Sequence, residues 1–210
     1  PEDLLRREPD LDIVVMAEGE YTMPELVKAL INKSDLSAVE GVAYRSRGRI
    51  MVNPRRPYIR DLDKLPFPAY HLVDMERYFY FQEHGYAARR QVIKSRKVPL
   101  ITSRGCPFNC VFCCIHLHMG KVWRPHSAEY VLSHLDYLIK TFRLEHILFE
   151  DDNINASPAR FEEILDGIKS RGYKIFWDTP NGIRADKLNA SLIRKALESG
   201  CRFLKIGIES

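Results

Sequence analysis

Apolar positions change character part-way along the chain. From Pro99 onward, short strand-like runs alternate with longer stretches of helical period. The pattern predicts strands at Pro99 to Thr102, His146 to Glu150, Lys174 to Trp177 and Phe203 to Ile208. Between them it predicts helices around Ala128 to Thr141, Pro158 to Arg171 and Ala190 to Ser199, the last stopped by Gly200. Ser127 and Ser157-Pro158 are helix-start signals: a serine hydroxyl accepts from the first free N–H groups, and proline gives up nothing at the first helical position. Strands separated by helices of this length pair in parallel through right-handed crossovers. Four of them predict an α/β fold with an open parallel sheet, or the first half of a larger (β/α) barrel.

Upstream the pattern is less regular. Asp12 to Met16 is a β-branched run, followed by Ala17-Glu18-Gly19-Glu20 and an amphipathic stretch from Met23 to Ile31 with Pro24 near its start, which reads as strand, loop, helix. Val42 to Arg45 and Arg49 to Val52 flank Ser46-Arg47-Gly48 as a hairpin with a glycine turn. Pro54, Pro57, Pro66 and Pro68 break up residues 53–70 into an extended connector. The following stretch to residue 97, with Tyr78-Phe79-Tyr80-Phe81, reads as a docking segment or a covering strand, and periodicity does not choose between them.

Composition narrows the class. With 45% hydrophobic residues the chain builds a substantial core. No run of about 18 uncharged apolar residues predicts a membrane span, and no basic-then-apolar leader opens the chain, so a cytoplasmic location is expected. The balance of 32 Lys plus Arg against 28 Asp plus Glu gives +4, too mild to argue for nucleic acid as a partner. Arginines cluster at Arg45, Arg47 and Arg49, at Arg55, Arg56 and Arg60, and at Arg89 and Arg90, which is more economically read as solvated faces than as a phosphate-binding surface. The chain begins Pro1-Glu2-Asp3 and stops at Ser210 after an apolar run, and it reads as a fragment.

Of five cysteines, four fall between Cys106 and Cys114, a poor layout for disulfides and a good one for a metal in a reducing compartment. Cys106, Cys110 and Cys113 follow the first strand of the alternating region, at the carboxyl end where parallel α/β folds collect ligands. Three thiolates on one loop suit an iron–sulfur cluster, each gripping one iron, or structural zinc with Cys114, His116 or His118 as the fourth ligand. No second Cys-x-x-Cys supplies the paired knuckle that structural zinc usually takes. Cys114 and Cys201 read as thiols outside the ligand set.

The run Cys106-Pro107-Phe108-Asn109-Cys110-Val111-Phe112-Cys113 resembles the radical S-adenosylmethionine (SAM) enzymes. The resemblance implies a 4Fe–4S cluster on the three cysteines, with the fourth iron open to SAM and the backbone of Phe112 against the adenine. It continues through Phe149-Glu150-Asp151-Asp152-Asn153, where Glu150, Asp151 and Asp152 are expected to meet the amino end of SAM. Further cofactor contacts are implied for Arg184, within Asn181 to Asp186, and for Glu209, in a Gly-x-Glu-Ser ending. Residue by residue, the alternatives are an acidic cluster favourable to a helix start, a surface Arg184–Asp186 pair and an ordinary strand-end glutamate. No catalytic residue is assigned.

Val14 to Thr22 is similar to the last strand and helix of the cobalamin-binding domain that precedes many of these enzymes, and Asp61-Leu62-Asp63-Lys64-Leu65-Pro66-Phe67-Pro68-Ala69 resembles their interdomain connector. The resemblance thus implies three parts: residues 1–40, the end of a Rossmann-like cobalamin domain; 41–97, hairpin and linker; and 98–210, the N-terminal half of a radical SAM (β/α) barrel. The Asp-x-His-x-x-Gly pattern of many cobalamin binders is absent. The implied activity is reductive cleavage of SAM to a 5′-deoxyadenosyl radical, serving cobalamin-dependent methyl transfer to an unactivated carbon of a small-molecule substrate. A flavodoxin or ferredoxin would be the external one-electron donor. Two other readings stand beside it: an RNA methylthiotransferase-like radical enzyme, disfavoured because no cysteine precedes Cys106, and a zinc-stabilised nucleic-acid-binding module.

Overall fold

The computed structural model describes residues 1–84 and 96–208, which form two compact units. The first comprises Pro1–Arg60 with His116–Gly120, and the second Asp61–Ile115 with the chain from Lys121 onward. Arg89, Arg90 and Glu209 lie outside the described residues.

The first unit contains helix α1 (Glu2–Arg7), strand β1 (Ile13–Val15), helix α2 (Thr22–Ile31) and the hairpin β2 (Val42–Ser46) and β3 (Arg49–Val52). Both hairpin strands and β1 form an antiparallel sheet in the order β1-β2-β3. Arg47 and Gly48 both have positive φ, 46° and 74°, the two-residue turn whose twist matches a hairpin. Leu26 of α2 packs with Val39, Val42 and Tyr44 in a small core. The break after residue 40 expected from the sequence falls inside this unit, because β1 pairs with the hairpin. Two clustered arginines are structural: Arg45 donates to Leu5 O and Glu8 O near the end of α1, and Arg56 donates to Thr22 Oγ1 and pairs with Glu25.

The second unit begins with helix α3 (Met75–His84), where the sequence had left a docking segment or covering strand open. The chain continues through β4 (Lys97–Leu100), β5 (Ser103–Arg104), α4 (Ile115–His118), β6 (Arg124–Pro125), α5 (Ala128–Phe142), β7 (His146–Phe149), α6 (Pro158–Ser170), β8 (Phe176–Ile183), α7 (Ala190–Glu198) and β9 (Cys201–Ile206). The four long strands form the expected parallel sheet in the order β4-β7-β8-β9. Sequential parallel order with helical crossovers is the build of a (β/α) barrel, here as an open four-stranded sheet. Pro99 is tolerated because β4 is an edge strand. β8 runs through Pro180 and Gly182 by slipping register with β9 between Thr179 and Ile183.

Capping sets the helix starts. The side chains of Ser127, Ser157 and Asn189 accept from Tyr130 N, Arg160 N and Leu192 N. α5 then turns Val131, Leu135 and Leu138 inward, and α6 turns Phe161, Ile164, Leu165 and Ile168, both at helical spacing. These side chains bury Ile147, Phe149 and Trp177 on one face of the sheet. Gly200 closes the turn from α7 into β9 at φ +99°, and a Cβ there would be driven into the carbonyl oxygen of Ile175. Gly200→Ala is therefore expected to destabilise the protein by roughly 2 kcal/mol or more, measured by urea unfolding, since backbone conformation and space are both wrong for a side chain.

His134 of α5 is buried, stacked on Phe67 at 4.3 Å, with Nε2 3.1 Å from the Tyr70 hydroxyl. Burial, helped by the nearby His126, pushes its pKa down from 6.5 to about 4. The neutral imidazole is the form that folds. Its contribution to stability is therefore fully present above pH 6.5 and is lost as pH falls from 6.5 through about 4. Unfolding at pH 7 and pH 4.5 is expected to show a shallower loss of stability for His134→Phe than for the parent; equal slopes would contradict the assignment.

Candidate radical SAM site at the strand ends

The cysteine loop leaves the sheet directly after β4, and its base is closed twice. β5 and β6 pair antiparallel, Ser103 with Pro125 and Arg104 with Arg124, so residues 105–123 loop out from a two-residue ladder. Below that ladder, Thr102 O accepts from His126 N and from Arg160 Nη2, both at 2.9 Å. Within the loop Cys113 N donates to Cys110 O at 3.0 Å, a turn that holds the second and third cysteines close together.

Asp151, just beyond β7, anchors the base. Its carboxylate is 1% exposed and accepts from Thr102 N, from Thr102 Oγ1 at 2.8 Å and from Ser103 Oγ at 2.5 Å. Burial pushes its pKa up, while these hydrogen bonds and the Arg160 guanidinium favour the ionised form. Arg160, 8% exposed, donates to His126 O at 2.6 Å and to Thr102 O. This buried network ties the start of the cysteine loop to the end of the neighbouring strand.

A cavity of about 380 Å³ opens at the carboxyl ends of the strands, and all three cysteines line it. Its walls also include Phe108 and Phe112 from the loop, Asp152 and Asn153 after β7, Asn181 to Asp186 at and beyond the end of β8, and Gly207 after β9. The volume lies in the range of small-molecule sites. Among the described residues no three His, Cys, Asp or Glu side chains converge on a single point. A cubane takes each thiolate on a different iron, so the geometry it needs is a rim of thiols around a space. The residues fit such a group: three soft donors share one wall, and beside Cys106 the buried Asn153 Oδ1 has no hydrogen-bond partner among the described residues.

The residues singled out in the sequence divide accordingly. Cys106, Cys110, Cys113, Phe112, Asp152 and Arg184 come together around the cavity. Asp151 does not; its carboxylate is turned into the interior. Glu150 is absent from the lining, and what it contributes is a backbone carbonyl accepting from Asn181 Nδ2 at 2.9 Å. Glu209 lies outside the described residues. Arg184 stacks its guanidinium 3.8 Å from the Phe108 ring centroid and pairs with Asp186 at 2.8 Å. The Asp186 hydrogen bond, with a smaller contribution from Cys110 and Cys106, favours its charged form.

Sequence reasoning missed the asparagines. Asn155, fully buried, holds Arg184 by two bonds, donating to its carbonyl at 2.9 Å and accepting from its N–H at 3.1 Å. Asn153 sits inside the run already singled out, but the neighbouring carboxylates drew the attention. Two amides two residues apart, Asn153 and Asn155, in the loop that follows the apolar strand were the available signal.

Residues 100–210 match the family model described as the Radical SAM superfamily. The whole chain aligns with an uncharacterized methyltransferase of Pyrococcus horikoshii at 36% identity, covering 43% of that protein. Cytidylyl-2-hydroxyethylphosphonate methyltransferase of Streptomyces wedmorensis is 28% identical over 97% of this chain and 41% of its own length. The chain thus spans less than half the length of these curated relatives. Among solved structures, the cobalamin-dependent SAM radical enzyme OxsB, with aqua-cobalamin and SAM bound, superposes with a TM-score of 0.72 at 26% identity, over 100% of this chain and 29% of OxsB. The radical SAM methyltransferase TsrM from Kitasatospora setae, with cobalamin and a 4Fe–4S cluster bound, gives 0.74 over 99% of this chain and 40% of TsrM; at 15% identity this is a likeness of fold.

Proposed function

Because this chain belongs to the radical SAM superfamily, we propose that the cavity at the strand ends is its SAM and cluster site, and that the full protein is a cobalamin-dependent methyltransferase of a small molecule. The observation that carries this reading is the shared cavity, in which three thiols of one loop face polar groups from the ends of the neighbouring parallel strands. When bound, a reduced 4Fe–4S cluster supplies the electron that cleaves SAM to a 5′-deoxyadenosyl radical.

In this reading Cys106, Cys110 and Cys113 are the cluster ligands. The loop base, fixed by Asp151 and Arg160, sets where they stand. Phe112, 70% exposed on the cavity wall, offers its backbone and ring to the adenine. Asp152 offers a carboxylate to the ammonium of SAM, and Glu150 contributes through its backbone. Arg184, held by Asn155 and Asp186 and stacked on Phe108, offers a fixed cation for a carboxylate. Glu209 is retained as a candidate contact. Residues 1–40 are assigned to the end of a cobalamin-binding domain, 41–97 to hairpin and linker, and 98–210 to the barrel half. A flavodoxin or ferredoxin is the proposed electron donor, in the cytoplasm. Among the described residues no helix is long and apolar enough to cross a membrane.

The likeness to two proteins named as methyltransferases supports methyl transfer as the outcome, and the likeness to OxsB supports cobalamin-dependent radical chemistry. The test is anaerobic incubation of the full-length protein with cobalamin, a reductant and SAM labelled in its methyl group. Formation of 5′-deoxyadenosine together with labelled cobalamin is expected. A cluster-loaded protein that yields neither would contradict the proposal.

A further inference from the structure

Asn153 presents two features that its place after β7 does not demand. Its side chain is 3% exposed, and Nδ2 lies 3.9 Å from Cys106 Sγ, within N–H···S reach. Its Oδ1 is buried and has no hydrogen-bond partner among the described residues. The backbone is pinned where it stands, because the Asn153 carbonyl accepts from Trp123 Nε1 at 3.1 Å. An amide can be turned either way to suit its surroundings. A cysteine thiolate bound to iron carries no proton and can only accept, so Nδ2 is the end that must face Cys106. In that orientation the carbonyl oxygen has no partner among the described residues.

We propose that Asn153 donates a hydrogen bond to the Cys106 thiolate and thereby raises the reduction potential of the cluster held there, an inference that rests on the radical SAM reading of the site. An N–H aimed at a ligand sulfur stabilises the reduced, more negative cluster, and hydrogen bonds to sulfur are among the main controls on such potentials. Burial strengthens the effect because water does not screen the amide. The nearby Arg184 acts on the cysteines by charge from a side chain that is 37% exposed, where water screens it, whereas the Asn153 amide is sheltered. Asn153 is the sheltered donor beside Cys106, well placed to set how readily the site accepts its electron.

The test uses the full-length protein, reconstituted anaerobically with iron and sulfide, and follows cluster reduction by electron paramagnetic resonance (EPR) against solution potential. Asn153→Leu keeps the shape of the side chain and removes the donor. It is expected to retain iron and to lower the midpoint by about tenfold in the reduction equilibrium, ~59 mV for one electron, with partial recovery in Asn153→Gln. An unchanged midpoint in an iron-loaded leucine variant overturns the inference. Should that variant lose iron, Asn153→Asp decides, since its carboxylate fills the same space, donates nothing and adds negative charge; its midpoint must also fall, and an unchanged value overturns the inference. Loss of iron from both variants overturns it too, because the amide would then serve assembly. A parent protein that assembles no cluster removes the radical SAM reading itself, and this inference with it.

Discussion

Replacing Cys110 by alanine in the full-length protein is expected to cut reductive SAM cleavage by more than about 100-fold. Removing an outer-shell partner of a metal ligand typically costs about 10–100-fold, and loss of a ligand itself exceeds that. Cys110 lines the cavity with Cys106 and Cys113, and the turn from Cys113 N closes on its carbonyl. Cys114 is the internal control. It follows Cys113 directly, is exposed, and is absent from the cavity lining, so Cys114→Ala is expected to leave iron content and cleavage unchanged. Chromatographic measurement of 5′-deoxyadenosine with iron analysis distinguishes the two variants. Equal losses would mean that the loop, and not the ligand spacing, is what matters.

The second large effect concerns stability. Asp151→Ala is expected to destabilise the protein by about 3 kcal/mol or more, because it removes a buried charged acceptor and leaves its donors unpaired, each at a cost of about 1–3 kcal/mol. Arg160, which donates to His126 O and Thr102 O, would lose the nearby negative charge, and the Thr102 and Ser103 donors would lose their acceptor. Asp152, one residue on, is exposed, and Asp152→Ala is expected to leave stability within about 0.5 kcal/mol of the parent. In the proposed site, Asp152→Ala instead weakens SAM binding. Denaturant unfolding and equilibrium binding of SAM, run on both variants, separate the neighbouring carboxylates into an anchor and a ligand contact.

That separation marks where the sequence stopped being legible. Cysteine spacing, the alternation of strand and helix, and the serine caps at Ser127 and Ser157 are local signals, each carried by adjacent residues, and the parallel sheet followed from them. The two-residue ladder of Ser103–Arg104 with Arg124–Pro125 has no periodicity to read, because its partners are some twenty residues apart and each strand is too short to alternate. Helix α3 escaped because its Tyr78, Tyr80 and Phe81 are exposed and only Phe79 is buried, so no apolar stripe marks the helix. The strand expected at Lys174 to Trp177 runs on to Ile183, because a register slip carries it through Pro180 and Gly182. Asp151 reads from sequence as one of three equivalent carboxylates. Its distinct role depends on Thr102, Ser103 and Arg160, which only the fold brings to it.

The most direct measurement of the central claim is the EPR spectrum of the reduced, reconstituted full-length protein, recorded before and after SAM is added. If the three thiols hold a cluster with one iron open to the cavity, a reduced 4Fe–4S signal is present in the parent and absent in Cys110→Ala, and SAM shifts the g-values of the parent. A parent spectrum with no such signal, or one that SAM leaves unchanged, would contradict the account.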